Sequence, residues 1–160
     1  MISYIAIGSN QATPIKQARQ AIVALKALPR TQLINSSSLY SSAPMGPQDQ
    51  PDYVNAVAQL DTQLSALQLL DELQKIELSQ GRERKAKRWG PRTLDLDIIL
   101  YGNEEINNAR LTIPHYGMKV REFVLYPLLE IAENLVLPDG TALSKLAAQC
   151  DKNGLIIIND

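Results

Sequence analysis

Cysteine, histidine, tryptophan and phenylalanine each occur once in these 160 residues, and each scarcity removes a class of function. A lone thiol, Cys150, rules out an intrachain disulfide and suits a reducing compartment. With one imidazole, His115, beside it, there is no Cys/His pattern for zinc. The net charge is −1, so the overall balance draws the chain neither to nucleic acid nor to anionic lipid. No apolar segment approaches the roughly 20 residues of a membrane span. "MISYIAIGSNQ" has no basic n-region and reads as a first strand, neither a signal peptide nor an anchor. Neither G-x-x-x-x-G-K-S/T nor G-x-S-x-G occurs, so a phosphate site here must rest on Arg, Lys and metal. Repeats and low-complexity tracts are also lacking. The expectation is a cytoplasmic protein of one domain, residues 1–160, long enough to bury roughly 70% of its unfolded surface.

What is present is a mixed helix and strand pattern. Ile2 to Ile7 alternates as a strand and stops at Gly8-Ser9-Asn10. Thr13 reads as an N-cap with Pro14 at the first helical position. Ile15, Ala18, Ile22 and Leu25 then recur at helical spacing up to Pro29. Residues 32–41 read as a second strand. Ser42 to Asp52, "SAPMGPQDQPD", is a loop too long for a tight hairpin. Tyr53 to Leu60 reads as a third strand. Ser65 caps a second helix carrying Leu67, Leu70, Leu73 and Ile76, which ends at Gly81. A fourth strand follows the basic segment from Arg82 to Arg92. The order β-α-β-β-α-β predicts an α+β fold with a ferredoxin-like core. The C-terminal part adds an irregular stretch (103–117), a helix over 121–132, a short helix over 141–148 and a strand at "LIII".

The fourth strand carries the chemistry. In "RWGPRTLDLDIILYG", Leu94, Leu96, Ile98 and Leu100 alternate with Asp95, Asp97, Ile99 and Tyr101. One face is therefore apolar, and the other pairs two carboxylates with an apolar continuation. Aspartate is a poor strand former, and two like charges about 6.6 Å apart on one face repel. A solvated face accounts for many isolated aspartates, and D-x-D alone recurs by chance. The residues before it raise the odds. Arg82, Arg84, Lys85, Lys87, Arg88 and Arg92 crowd one short segment, offset only by Glu83. A cationic segment running into an acidic pair is the layout of a Mg·nucleotide site. The carboxylates hold the metal, and the guanidinium forks take phosphate oxygens. Trp89, the only tryptophan, offers a flat surface for a heterocycle.

"RWGPRTLDLDIILYG" resembles the signature of the 6-hydroxymethyl-7,8-dihydropterin pyrophosphokinase family, a folate-pathway family. "YIAIGSN", "PMGPQDQPDYVNA" and "IPHY" followed by Arg121 and Phe123 extend the likeness over nearly the whole chain. The resemblance implies transfer of the β,γ-diphosphoryl group of ATP to the pterin hydroxymethyl group, with release of AMP. It implies two Mg²⁺ ions on Asp95 and Asp97, and triphosphate contacts from Arg82 and Arg92. Arg84, Lys85 and Arg88 match a mobile catalytic loop. Gln74, Glu77, Trp89, Ile98, Arg110, Leu111, Thr112, His115, Tyr116 and Arg121 match positions of the nucleotide site. Tyr53, Asn55, Trp89 and Phe123 match the pterin site, together with Ser42, Ala43 and Met45, where the family's common wording is Thr-Pro-Pro-Leu. A monomer acting on small molecules is implied, without nucleic acid or membrane. Two rivals are weighed. A ferredoxin-like RNA-binding module should show strand aromatics and a basic balance. A two-metal nucleotidyl transferase or nuclease would use paired aspartates equally well.

Overall fold

A computed structural model describes residues 1–10, 13–42, 53–80 and 94–158. The fold is mixed α/β, an antiparallel sheet with four helices. Strand β1 (Ile2–Ser9) runs between β4 (Tyr53–Thr62) and β5 (Leu94–Tyr101). Beyond β4 lie β2 (Thr31–Ser36), β3 (Tyr40–Ser42) and the short β8 (Ile156–Ile157), which pairs with β3. β5 is thus the edge strand at one side of the sheet. No helix among the described residues is long and apolar enough to cross a membrane.

Two apolar layers sandwich the sheet. Helices α1 (Pro14–Lys26) and α2 (Ala66–Gln80) cover one face, where Ala18, Ala21, Leu25, Leu69 and Leu73 meet Ile5, Ile7, Leu96 and Ile98. Each fully buried leucine here contributes about 1.5–3 kcal/mol relative to exposure. Helices α3 (Glu122–Ile131) and α4 (Leu143–Gln149) cover the other face, setting Leu125, Leu128 and Leu143 on Tyr4, Val57 and Ile99. α2 begins with a reciprocal cap, as expected at Ser65. The Gln68 N–H donates to Ser65 Oγ at 3.2 Å, and the Ser65 N–H donates to Gln68 Oε1 at 2.9 Å.

Four expectations change in detail. Thr13 sits at the N-cap of α1 without a side-chain cap bond; its ψ of 66° lies outside the extended range that aims a capping oxygen at the first turn. The strand over 32–41 is split into β2 and β3. At the break the Val57 N–H donates to Ser37 Oγ at 2.9 Å, so a serine side chain replaces a backbone carbonyl in the ladder. The irregular stretch 103–117 holds a small ladder, β6 (Ile106–Asn107) with β7 (Thr112–Ile113). Asn108 Oδ1 turns the chain between them by accepting from the N–H groups of Arg110 and Leu111.

The fourth change bears on the site. Ile5 pairs with Ile98 and Tyr4 with Leu100, so Ile99 has no partner on β1. This bulge resets the alternation of β5. Asp95, Asp97 and Ile99 share the α3 face, but Leu100 joins them there and Tyr101 turns under α2. The Tyr101 hydroxyl donates to the carbonyl of Leu64, which satisfies it in the core.

Candidate active site

The register of three strands builds the site. Gly8 of β1 lies opposite Asn55 of β4 on one side and Asp95 of β5 on the other. Residues opposite each other in antiparallel strands share a face, so Asn55, Gly8 and Asp95 form one row, with glycine in the middle. Two residues along, Ala6 lies between Val57 and Asp97. Side chains on this face of β1 shrink from Tyr4 through Ala6 to Gly8. Tyr4 is packed beneath α3, and the floor falls away towards Gly8. The result is a cavity of about 220 Å³ that Asn55, Asp95, Asp97, His115 and Phe123 help to line. Small-molecule clefts run to roughly 300–1,000 Å³, so this one has room for a single ring system. A larger groove of about 1070 Å³ along α1 is shallow and has no carboxylate among the described residues of its wall.

Asn55 is almost fully buried, at 4% exposure. Its Nδ2 donates to Ser42 Oγ at 2.7 Å, fixing the amide so that Oδ1 faces Gly8. A buried amide held this way is a selective reader of a polar ring edge. Tyr53, two residues before it on β4, shares its face and also lines the cavity. Asp97 is exposed and Asp95 half-buried.

The bulge positions the opposite wall. The His115 N–H donates to the carbonyl of Ile99 at 3.0 Å, which brings the imidazole beside Asp97. Burial pushes the His115 pKa below its ordinary value; Asp97 pulls it back, and Arg121 pushes it down again. The Gly117 N–H donates to His115 Nδ1 at 3.1 Å, which fits a neutral ring with its proton on Nε2. Tyr116, 80% exposed, stacks on His115 with ring centroids 4.6 Å apart. The Arg121 guanidinium spans both aromatics, 5.2 Å from the Tyr116 ring and 5.9 Å from the Phe123 ring. Gly117 permits that approach, because a Cβ there would lie 2.5 Å from Arg121 Nε.

A second group lies around the outer edge of β5. Glu77 Oε2 accepts the Leu96 N–H at 2.9 Å, capping one outward donor of the edge strand between the two aspartates. Arg110 pairs with Asp71 at 2.7 Å and reaches Gln74 Oε1 at 3.3 Å. Leu111 and Ile98 are buried in the core beside them, and Thr112 is exposed on β7. The residues picked from sequence therefore fall into a face group around Asp95 and Asp97 and an edge group around Glu77 and Arg110. Ala43, Met45, Arg82, Arg84, Lys85, Arg88, Trp89 and Arg92 lie outside the described residues.

Among the described residues no three His, Cys, Asp or Glu side chains converge as a metal cage. Two carboxylates on one face are nonetheless the donor set Mg²⁺ uses when phosphate oxygens complete its shell, because it rarely takes an all-protein cage.

The sequence model of the 7,8-dihydro-6-hydroxymethylpterin-pyrophosphokinase (HPPK) family matches residues 4–133. The chain belongs to the HPPK family. It is 57% identical over 157 residues to the 2-amino-4-hydroxy-6-hydroxymethyldihydropteridine pyrophosphokinase of Haemophilus influenzae, covering 98% of each chain. The protein of that name from Pseudomonas aeruginosa is 54% identical over 152 residues, 95% of this chain and 93% of that one. An HPPK-DHPS crystal structure in complex with substrates matches the fold with a TM-score of 0.70 at 14% identity, over 92% of this chain. Wild-type HPPK-DHPS of Plasmodium falciparum gives 0.71 at 13%, again over 92% of this chain. This chain spans only 45% and 40% of the length of those two. HPPK membership makes it a pyrophosphokinase, an ATP-dependent diphosphotransferase of folate biosynthesis. The alternative, a two-metal nucleotidyl transferase or nuclease, finds no support.

Sequence reasoning about this HPPK chain missed its floor. Gly8 read only as a strand end, and Ala6 and Ile99 as ordinary strand residues. The decreasing series Tyr4, Ala6, Gly8 was the available signal.

Proposed function

We propose that this chain transfers the β,γ-diphosphoryl group of Mg·ATP to 6-hydroxymethyl-7,8-dihydropterin. The observation that carries the reading is the row Asn55–Gly8–Asp95. It sets a buried amide and a carboxylate on either side of a floor without a side chain. The pterin ring enters over Gly8, with Tyr53 and Phe123 as its aromatic walls and Asn55 reading its polar edge. Ser42 orients Asn55, and Ala43, Met45 and Trp89 complete the pterin site. Its hydroxymethyl group then points along β5 towards Asp95 and Asp97.

The hydroxyl oxygen bonds to the β-phosphorus, and the bond from that phosphorus to the α,β-bridging oxygen breaks. AMP leaves with that oxygen, and the hydroxyl proton is lost. Asp95 and Asp97 would hold two Mg²⁺ ions, which would supply neutralisation of phosphate charge and a lower pKa for the attacking hydroxyl. Arg82 and Arg92 take the charge that develops on the transferred group, with Arg84, Lys85 and Arg88 from the same segment. Gln74, Glu77, Arg110 and Thr112 receive the nucleoside end at the β5 edge. Ile98 and Leu111, whose side chains belong to the core, contribute there through backbone. His115, Tyr116 and Arg121 flank the phosphates. The neutral imidazole donates from Nε2, and the guanidinium supplies charge.

A ferredoxin-like core is supported by the order β5-β1-β4-β2/β3, with β2 and β3 counted as one interrupted strand. Residues 1–160 acting as one monomeric domain is what the family resemblance implies, and the lone thiol supports a cytoplasmic setting.

Nucleotide products analysed with Mg·ATP, with and without the pterin, test the function. AMP should appear only with pterin and in equal amount to a diphosphorylated pterin. ADP as the matched product would replace this reading with single phosphoryl transfer.

The floor gives a separate prediction. A Cβ at Gly8 would lie 3.6 Å from Asn55 Oδ1, an ordinary contact. Valine favours strands, so Gly8→Val should fold with an unchanged or higher Tm. Its side chain occupies the ring's place, and overpacking of about 1–3 kcal/mol weakens pterin binding about fivefold or more. Titration calorimetry with the pterin reads this directly; wild-type affinity would show that the ring does not sit over Gly8.

A further inference from the structure

A buried glutamine on α1 ties together the two ends of the arginine segment. Gln17 is 4% exposed and lies between Ser9, the last residue of β1, and Gln80, the last residue of α2. Ser9 Oγ donates to Gln17 Oε1 at 2.5 Å, and Gln17 Nε2 donates to the Gln80 carbonyl at 2.9 Å. The amide orientation is forced, because a carbonyl can only accept and so must face Nε2. Gln80 returns a bond from its own Nε2 to the Gln20 carbonyl at 3.3 Å. The Gln80 carbonyl is one of the C-terminal acceptors that a helix cannot satisfy itself. Ser9 in turn lies opposite Leu94, the first residue of β5.

Gln80 immediately precedes residues 81–93, and Leu94 immediately follows them. Arg82 stands two positions after one anchor and Arg92 two before the other. We propose that Gln17 is a positioning residue for diphosphate transfer. It fixes the departure and return points of the segment that carries both arginines relative to the floor at Gly8. The proposal rests on the roles given above to Arg82 and Arg92.

Stability alone does not account for an amide here. α1 is already held by Ala18, Ala21 and Leu25 in the core. Burying a primary amide between helices costs free energy that a leucine would not. What the amide adds is direction, with oriented bonds to Ser9 and Gln80 joining three elements at one point. Displacement of a catalytic group by an ångström can cost on the order of a hundredfold in rate.

The test is a single-turnover measurement on the full chain with Mg·ATP and the pterin. Gln17→Leu should lower the transfer rate constant about tenfold and change pterin affinity by about twofold or less. In a background with both Arg82→Ala and Arg92→Ala the same substitution should cost about twofold or less, since changes acting through the same groups are not additive. Ile22→Ala, which removes packing from α1 away from this network, should lower Tm and keep the wild-type rate. If Gln17→Leu does not fold, Ser9→Ala breaks one of the two bonds and takes its place, with a loss of about threefold or more.

A wild-type rate in Gln17→Leu overturns the proposal. So does an equal proportional loss with and without the two arginines, or the same rate loss in Ile22→Ala. The variant with both Arg82→Ala and Arg92→Ala reads the assignment beneath it. If it is slow while Gln17→Leu is fast, the anchor alone falls, whereas a full rate in it sinks the arginines' role and the anchor together.

Discussion

Asp97→Ala loses metal-dependent diphosphate transfer and keeps its fold. Asp97 is exposed on β5, so its removal leaves no buried group unpaired. Surface substitutions of this kind stay within about 0.5 kcal/mol of wild type. The functional loss is far larger. Asp97 and Asp95 project from one face about 6.6 Å apart, and Mg²⁺ with phosphate ligands rests on one or two carboxylates. Removing one carboxylate strips a metal of its protein anchor at the position where charge develops. Losing a comparable electrostatic contact costs on the order of a thousandfold in rate. The matched measurements are Mg²⁺-dependent AMP release and thermal unfolding of the same preparation. A wild-type Tm with transfer lowered about a thousandfold is the expected pair. An unfolded variant would make the acidic pair structural, and undiminished transfer would remove the metal from this face.

Much of the architecture could be read from periodicity and capping, because those signals are local. Pro14, the Ser65–Gln68 capping box and the alternation of β5 each act within a few residues. The departures arise where a distant partner decides. Nothing in "LDLDIILY" marks Ile99 as a bulge, since both its neighbours are equally apolar. Only pairing with Tyr4 and Ile5 shows that the alternation is reset there. The reset moves Tyr101 off the aspartate face and under α2, where its hydroxyl meets Leu64. Likewise "NSSS" reads as weak strand until Val57 supplies the N–H that Ser37 accepts.

The site was legible where it is charged and silent where it is empty. Asp95 and Asp97 stand out because carboxylates are costly in a strand. Gly8 works by lacking a side chain, and a glycine at a strand end has an ordinary explanation. Gln17 was hidden for another reason. A helical period counts apolar positions, so a polar residue that faces inward is assigned to the solvent face. The two groups of candidate residues, at the face and at the edge, could not be told apart in sequence either. Whether Glu77 and Asp95 sit across one strand depends on how α2 packs against β5.

Arg92→Ala should slow transfer by about a thousandfold while ATP affinity falls by less than about tenfold, and Arg82→Ala should follow the same pattern. In diphosphoryl transfer the charge on the equatorial oxygens is redistributed between ground and transition states. A guanidinium aimed at those oxygens gains most when the β-phosphorus leaves AMP. On the proposed assignments, ground-state ATP would keep Arg110, Arg121, Tyr116 and the metal proposed for Asp95 and Asp97, so its affinity should depend little on one arginine. Arg92→Lys tests whether charge alone suffices. An ammonium lacks the planar two-donor fork, so it should recover only a small part of the rate. Single-turnover rates and ATP titrations separate the two effects. Turnover unchanged in both alanine variants would leave the basic segment without a role in the transition state. Equal losses in rate and affinity would make these arginines ordinary ATP-binding groups. The position of Arg92 makes the first outcome unexpected. It lies two residues ahead of Leu94, whose strand partner Ser9 adjoins the glycine floor.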